Sequence, residues 1–243
     1  MRIFRSEGPL SYKNYQFGYC HWLERESGDA LEPIYTAGYL PFSADRESRL
    51  SRFYMARSLR VRLSAFQVRK ERRYDQRKWE AFALQRHCTS REAFMESSGG
   101  EARLLAQKWM EERFGEAYLD PRRLEHILAG PPLSDVLYWK KEDRLVAFSL
   151  LVRESNLVHY WYLFYENSPE GMAPPGHGYL LDFLQWARDI RLQHAYLGTA
   201  YGLKSRYKSR GLSGIEFWDG NRWDNDRVRL HRLQEEDALR SVT

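Results

Sequence analysis

Cysteine is nearly missing from this chain: Cys20 and Cys88 are the 2 among 243 residues. Two cysteines make no disulfide framework and, alone, no structural zinc site. No apolar run approaches the roughly 18–20 residues of a membrane span. The start, Met-Arg-Ile-Phe-Arg-Ser-Glu, lacks the apolar stretch of a signal peptide, which points to the cytoplasm and away from a membrane. No internal repeat is visible, and the histidines show no metal-ligand spacing, so they offer no metal site. His159 and His194 read as core or edge residues of strands. Cys20 has no partner pattern for a nucleophile.

Aromatic bulk and positive charge are plentiful. The chain is 43% hydrophobic and 15% aromatic, with 8 Trp, which excludes a disordered segment. Its length allows one large domain or two small ones with a real core. The formal net charge is +5. That excess is uneven, since residues 57–91 hold 11 basic and 3 acidic side chains. Arg69, Lys70, Arg72, Arg73, Arg77 and Lys78 form the dense part, with Tyr74, Trp79 and Phe82 interleaved. Arginine favours bidentate phosphate contact and aromatic rings stack on bases, so the stretch reads as an RNA footprint. The plainer alternative is a solvated helix face.

Residues 1–66 read as short strands and turns, with Leu59, Val61 and Leu63 alternating against Arg60, Arg62 and Ser64. Residues 68–87 read as a charged helix. Ser97-Ser98-Gly99-Gly100 reads as a break, followed by a helix over 101–114 with Leu104, Leu105, Lys108 and Trp109 near one face and Gly115 as its stop. A short helix is expected over 121–128, closed by Gly130. Residues 136–139, 145–152 and 157–165 read as an antiparallel meander. A helix is expected over 179–190, a buried strand over 195–198, and a hairpin from 215 to 223 turning at Asp219-Gly220. That order predicts an α/β (α+β) protein with an acetyltransferase-like, GNAT-like mixed sheet. The expected division is a basic N-terminal region, 1–95, and a transferase domain, 96–243.

Ala173-Pro174-Pro175-Gly176-His177-Gly178 precedes the helix where such acetyltransferases offer backbone N–H groups to the coenzyme A pyrophosphate. Here Ala173 replaces the usual Gln or Arg, and two prolines remove donors. It reads better as a loop leading into a helix.

Two separated stretches together resemble the aminoacyl-tRNA–protein transferases, the arginyl- and bacterial leucyl-transferases of the N-degron pathway. The first runs Ala56-Arg57-Ser58-Leu59-Arg60-Val61-Arg62-Leu63-Ser64-Ala65-Phe66 and on through residues 67–78. It is similar to the family's alternating strand, Phe-x-Pro-Ser-Arg-Ser-Gln-Arg-Lys and basic helix, without the Pro-Ser-Arg-Ser-Gln core. The second is Tyr196-Leu197-Gly198, then Lys204, Tyr207-Lys208, and Glu216 before Gly220 and Trp223. Trp161-Tyr162-Leu163-Phe164-Tyr165 is similar to the family's aromatic strand, with Glu166-Asn167-Ser168-Pro169-Glu170 at its Asp-Pro-Glu. Leu145-Val146-Ala147 matches the strand before it. The similarity spans about residues 14–223. The family's Cys-Gly-Tyr-Cys is Phe17-Gly18-Tyr19-Cys20 here, and its later cysteine pair falls near residues 53–56. One ligand of four remains, so no family-type metal site is expected. Thr199-Ala200 replaces Tyr-Trp.

The resemblance implies transfer of an arginine- or leucine-like aminoacyl group from charged tRNA to the α-amine of a protein or peptide. The ester is already activated, so aminoacyl-tRNA is the co-substrate and no cofactor is needed. Glu166, Tyr162 and Tyr165 are the catalytic candidates. Gly198, Tyr201, Lys204, Tyr207, Lys208 and His177 are the substrate-binding candidates. Asp182 reads as structural, and Trp139, Trp161 and Trp186 as core. Two alternatives stay open: an N-acetyltransferase using acetyl-coenzyme A, and a non-catalytic RNA-binding protein of the same fold.

Overall fold

The computed structural model describes residues 1–7, 19–26, 28–42, 51–114, 121–130, 132–167 and 176–240. Phe17 and Gly18, Gly115, residues 168–170 and the loop residues 171–175 lie outside them. Two sheets form the frame. Strands β1 (Arg2–Glu7), β2 (Tyr19–Arg25), β3 (Tyr39–Pro41) and β4 (Ser51–Met55) make a small antiparallel sheet in the order β1-β2-β4-β3. A short helix, α1 (Leu31–Thr36), joins its core through Leu31, Ile34 and Tyr35.

The large sheet has eight strands: β5 (Ser58–Arg62), β6 (Gln85–Ser90), β7 (Asp135–Lys141), β8 (Arg144–Glu154), β9 (Leu157–Tyr165), β10 (His194–Thr199), β11 (Ile215–Trp218) and β12 (Trp223–Asp224). Their order is β12-β11-β5-β10-β9-β8-β7-β6. The meander β7–β8–β9 is antiparallel, as its alternation predicts. β9 and β10 are parallel, because helix α5 (Gly176–Asp189) carries the chain back across the sheet between them. The chain is thus a mixed α/β protein around a mixed sheet. β5 and β6 belong to this sheet, and residue 95 lies inside helix α3 (Arg91–Phe114).

Helix α5 covers one face of the sheet with Leu180, Leu181, Leu184 and Ala187, all buried. Helices α3 and α4 (Pro121–Leu128) cover the other. β9 supplies both faces, and its alternation slips once. Leu150 pairs with Tyr162 and Leu151 with Tyr160, so Trp161 is an extra residue. Tyr160, Leu163 and Tyr165 therefore face α5, while Tyr162 and Phe164 face α3.

Three expectations are corrected. α3 runs unbroken through Ser97-Ser98-Gly99-Gly100, because the buried stripe Phe94, Ser98, Ala102, Leu105, Ala106, Met110 continues across it at helical spacing. Packing outweighs the weak propensity of those four residues. Leu104, expected on the inner face, is 71% exposed. The charged helix expected over 68–87 is a 3₁₀ turn at Lys70–Arg72, then α2 (Arg73–Glu80), then a reversal at Ala83, whose φ of 49° ends helical geometry. Residues beyond it become β6, held by six paired positions along β7. A C-terminal helix, α6 (Arg227–Arg240), packs on the 3₁₀ turn Leu203–Lys208. No helix among the described residues is long and apolar enough to cross a membrane.

Candidate active site

β9 and β10 pair only from Leu157–His194 to His159–Tyr196. Beyond that point β9 carries the Trp161 bulge, and β10 turns at Gly198, whose φ is 77°. Left-handed backbone suits glycine there. A Cβ on Gly198 would lie 3.5 Å from Lys208 Nζ and 3.9 Å from His159 Nε2. An ammonium and an imidazole thus converge on one backbone position where two parallel strands part.

Lys208 reaches this place from the end of the 203–208 turn, where Nζ donates to the Thr199 carbonyl at 3.0 Å. Helix α6 fixes that turn. Gly202 N–H donates to Asp237 Oδ2 at 2.9 Å, and Gln234 Nε2 donates to Ser205 Oγ at 2.8 Å. Arg57 grips the same Asp237 carboxylate at 2.6 and 3.3 Å. Burial pushes the Lys208 ammonium down to about 8, so roughly a tenth of it is a free base at neutral pH. Burial first, and the Lys208 charge second, push His159 down to about 3. The imidazole is therefore neutral. Its Nδ1 lies 3.0 Å from the Tyr35 hydroxyl, and its buried Nε2 has no hydrogen-bond partner among the described residues. The same holds for the Tyr160 hydroxyl.

The expected residues divide. Gly198 and Lys208 meet. Tyr165 lies on the α5 side, its ring 5.6 Å from Tyr179 and its hydroxyl against Gly176. Tyr207, beside Lys208, is 48% exposed. Tyr162 faces the opposite way, 5.3 Å from Trp161 and 6.0 Å from Phe164, because it stands three positions before Tyr165 and strand alternation puts the two on opposite faces. Glu166 ends β9 in an ion pair with Arg144. The Tyr201 hydroxyl accepts the Arg57 backbone N–H at 2.9 Å, and Lys204 is exposed. His177, in the first turn of α5, lies 3.3 Å from Asp75 of α2, and burial lowers its pKa. Asp182 accepts from Arg86 and from the Trp139 indole, as befits a structural carboxylate. Cys20 is buried in the core of the small sheet.

The basic stretch also divides. Arg69, Lys70, Arg73, Arg77 and Lys78 are exposed, and none of them makes an ion pair among the described residues. Arg72 is only 6% exposed. Its guanidinium donates to the Arg210 carbonyl at 3.0 Å and the Tyr207 carbonyl at 2.8 Å. It therefore ties the basic segment to the turn that carries Lys208. On the other side, α2 lies against α5. Trp79 stacks edge-on to Tyr179 at 4.7 Å and fills the space over Gly178.

Sequence reasoning missed His159, Asp237 and Arg57. Asp226 was a readable signal for α6, since its carboxylate caps the helix by accepting from Val228 N–H at 2.9 Å and Arg229 N–H at 3.1 Å. Nothing local marks His159.

No family model and no curated protein matches the chain. Solved structures overlap it in part. A C-terminal domain assigned to a lysylphosphatidylglycerol synthetase from Agrobacterium fabrum is 16% identical, with a TM-score of 0.43 over 63% of this chain and 50% of that one. FemX is 13% identical, with a TM-score of 0.46 over 78% and 66%. A GCN5-related glucosamine N-acetyltransferase region of a fungal multi-domain β-N-acetylglucosaminidase is 13% identical, with a TM-score of 0.41 over 79% and 22%. The chain spans half the length of the first of these.

Proposed function

We propose that this protein is an aminoacyltransferase, moving an arginine- or leucine-like aminoacyl group from charged tRNA to the α-amine of a protein or peptide. The observation that carries this reading is the Arg72 tie: its two carbonyl bonds join the exposed cations of residues 69–78 to the Lys208 turn. RNA held along those cations has its end delivered to the opening between β9 and β10. The resemblance of both segments to tRNA-dependent transferases supports the same reading.

In the reaction the amine nitrogen bonds to the ester carbonyl carbon, and the bond from that carbon to the tRNA 3′ oxygen breaks. The attacking nitrogen gives up a proton to the free-base form of Lys208, and the departing 3′ oxygen takes one up. Lys208 suits this role because burial has brought its pKa near the working pH. Glu166 is already charge-balanced by Arg144, so it could hold a cationic aminoacyl side chain only by exchanging that partner. No cofactor enters, and the co-substrate puts the activity in the cytoplasm. The acetyl-coenzyme A alternative needs the first turn of α5 open to a pyrophosphate. Trp79 over Gly178, and Asp75 beside His177, occupy it among the described residues.

The test is transfer from a mixture of labelled charged tRNAs to peptides with varied N-termini. Label should reach the peptide, and Lys208→Met should lower kcat by about 10²–10⁴ while leaving tRNA affinity in place. Turnover of acetyl-coenzyme A with no transfer from any charged tRNA would reject the reading.

A further inference from the structure

A polar concavity lies away from the place where β9 and β10 part. Its volume is about 330 Å³, and it sits where the end of β5 meets the loop before β11 and the start of α6. Three arginines line it: Arg62, Arg69 and Arg227. Their charge is poorly balanced. Arg69 and Arg227 make no ion pair among the described residues. Arg62 has Glu216 Oε1 at 3.6 Å, but that carboxylate is already bound by Arg60 at 2.8 Å. Arg227 is pinned by its donations to the Leu212 and Ser209 carbonyls, at 2.8 and 2.5 Å. Burial, and then the charge of Arg69, hold its guanidinium below its ordinary pKa. Three guanidinium groups line one hollow; the carboxylates that act on them are Glu216, shared with Arg60, and Glu71, which forms no ion pair with Arg227 among the described residues, and a bound anion would offset the remaining positive charge.

The wall opposite the arginines is backbone. Residues 212–215 run against 61–68, with Ser213 Oγ donating to the Ala65 carbonyl at 2.6 Å and Arg62 N–H to the Gly214 carbonyl at 2.8 Å. Gly214 has a φ of 74°, and a Cβ there would come within 2.6 Å of the Arg62 carbonyl oxygen. The strands can close on each other, and so hold Arg62 and Arg69 over the hollow, only with glycine at this point.

We infer that this pocket binds a phosphate group of an RNA strand, as a second anchor beside the opening between β9 and β10. The source of the phosphate rests on the transferase reading above; the anion chemistry does not. Two features favour a polyanion over a lone phosphate. Arg69 is also the first of the exposed cations without an ion pair among the described residues, which continue through Lys70, Arg73, Arg77 and Lys78. The pocket wall also begins at Leu212, four residues after Lys208, so at most about 14 Å of chain separates them. A few nucleotides cover that distance.

The test measures tRNA binding to the whole chain against salt concentration, for wild type, the pocket variants Arg62→Gln and Arg69→Gln, the neighbouring variants Lys70→Gln and Arg73→Gln, and a control, Arg91→Gln, which follows the strand at the other edge of the sheet. Arg62 and Arg69 are exposed, and unchanged urea midpoints establish that the variants fold. Each pocket variant should weaken binding about fivefold or more and reduce the slope of log K against log salt by roughly 0.7–0.9, one phosphate's worth, with the control unchanged. Inorganic phosphate should compete with RNA for wild type and lose that effect in Arg69→Gln. Binding that falls in Lys70→Gln and Arg73→Gln but not in the pocket variants overturns the pocket and leaves the transferase reading standing. Saturable inorganic phosphate with no RNA binding overturns both the RNA source and that reading.

Discussion

Acidification should unfold this protein through His159, and the size of the effect follows from its surroundings. The imidazole is enclosed by Tyr35, Tyr196 and the Lys208 ammonium, and its pKa falls from an ordinary 6.5 to about 3. A base depressed in the fold is protonated first in the unfolded chain. As pH falls below 6.5 the unfolded state takes up a proton that the folded state refuses, so stability drains away until about pH 3 and then levels. The full window is worth about 5 kcal/mol, and the part down to pH 4 about 3 kcal/mol. Whole domains are stable by only about 5–15 kcal/mol, so this one group can decide acid survival. The assay is urea unfolding from pH 8 to pH 4 for wild type and His159→Asn, which keeps a polar atom near the Nδ1 position and cannot titrate. Burial also lowers His177, His194 and His231, but those contributions cancel in the difference between the two curves. The variant should be less stable at pH 8, and its deficit should shrink steadily below pH 6.5. Parallel curves, or a His159 imidazole resonance, identified by its loss in His159→Asn, titrating near 6.5, would refute the reasoning. Lys208→Met should move that resonance to higher pH, since the Lys208 charge is the second cause of the shift.

Two further outcomes test the packing. Gly178→Ala puts a Cβ 2.3 Å from Trp79 Cε3, so α2 must shift away from α5; a loss of about 1–3 kcal/mol is expected in urea, with an altered near-ultraviolet Trp signal. Gly100→Ala, mid-helix in α3 with open space around the new Cβ, should instead stabilise by about 0.5–1 kcal/mol in the same assay.

The meander, α5 and the closing hairpin were legible because their signals are local: alternation, helical spacing and an Asp-Gly turn between strands. α3 and β6 were misread where tertiary contacts outweigh local preference. Ser97 to Gly100 look like a break until Phe94 and Ala102 are seen buried on one stripe, and β6 is mostly exposed, so its pattern carries no apolar alternation. At the site, resemblance pointed to Gly198 and Lys208, and the structure brings them together. Tyr162 was grouped with Tyr165 for nearness in sequence, although their odd separation of three already assigns them to opposite faces of a strand. His159 was invisible as a polar site residue because what defines it, Tyr35, is 124 residues away.

The place of β5 also bears on synthesis. It pairs with β10 on one side and β11 on the other, the nearer of which begins 132 residues after β5 ends. At about 5–20 residues per second, a ribosome needs roughly 7–26 s to supply that partner. Through that interval Leu59 and Val61, both fully buried in the finished protein, wait without either neighbouring strand. The strand that joins the two halves of the sheet is the one most exposed to mispairing during translation, so slowing elongation after residue 62 should raise the demand for chaperones more than slowing it after residue 218.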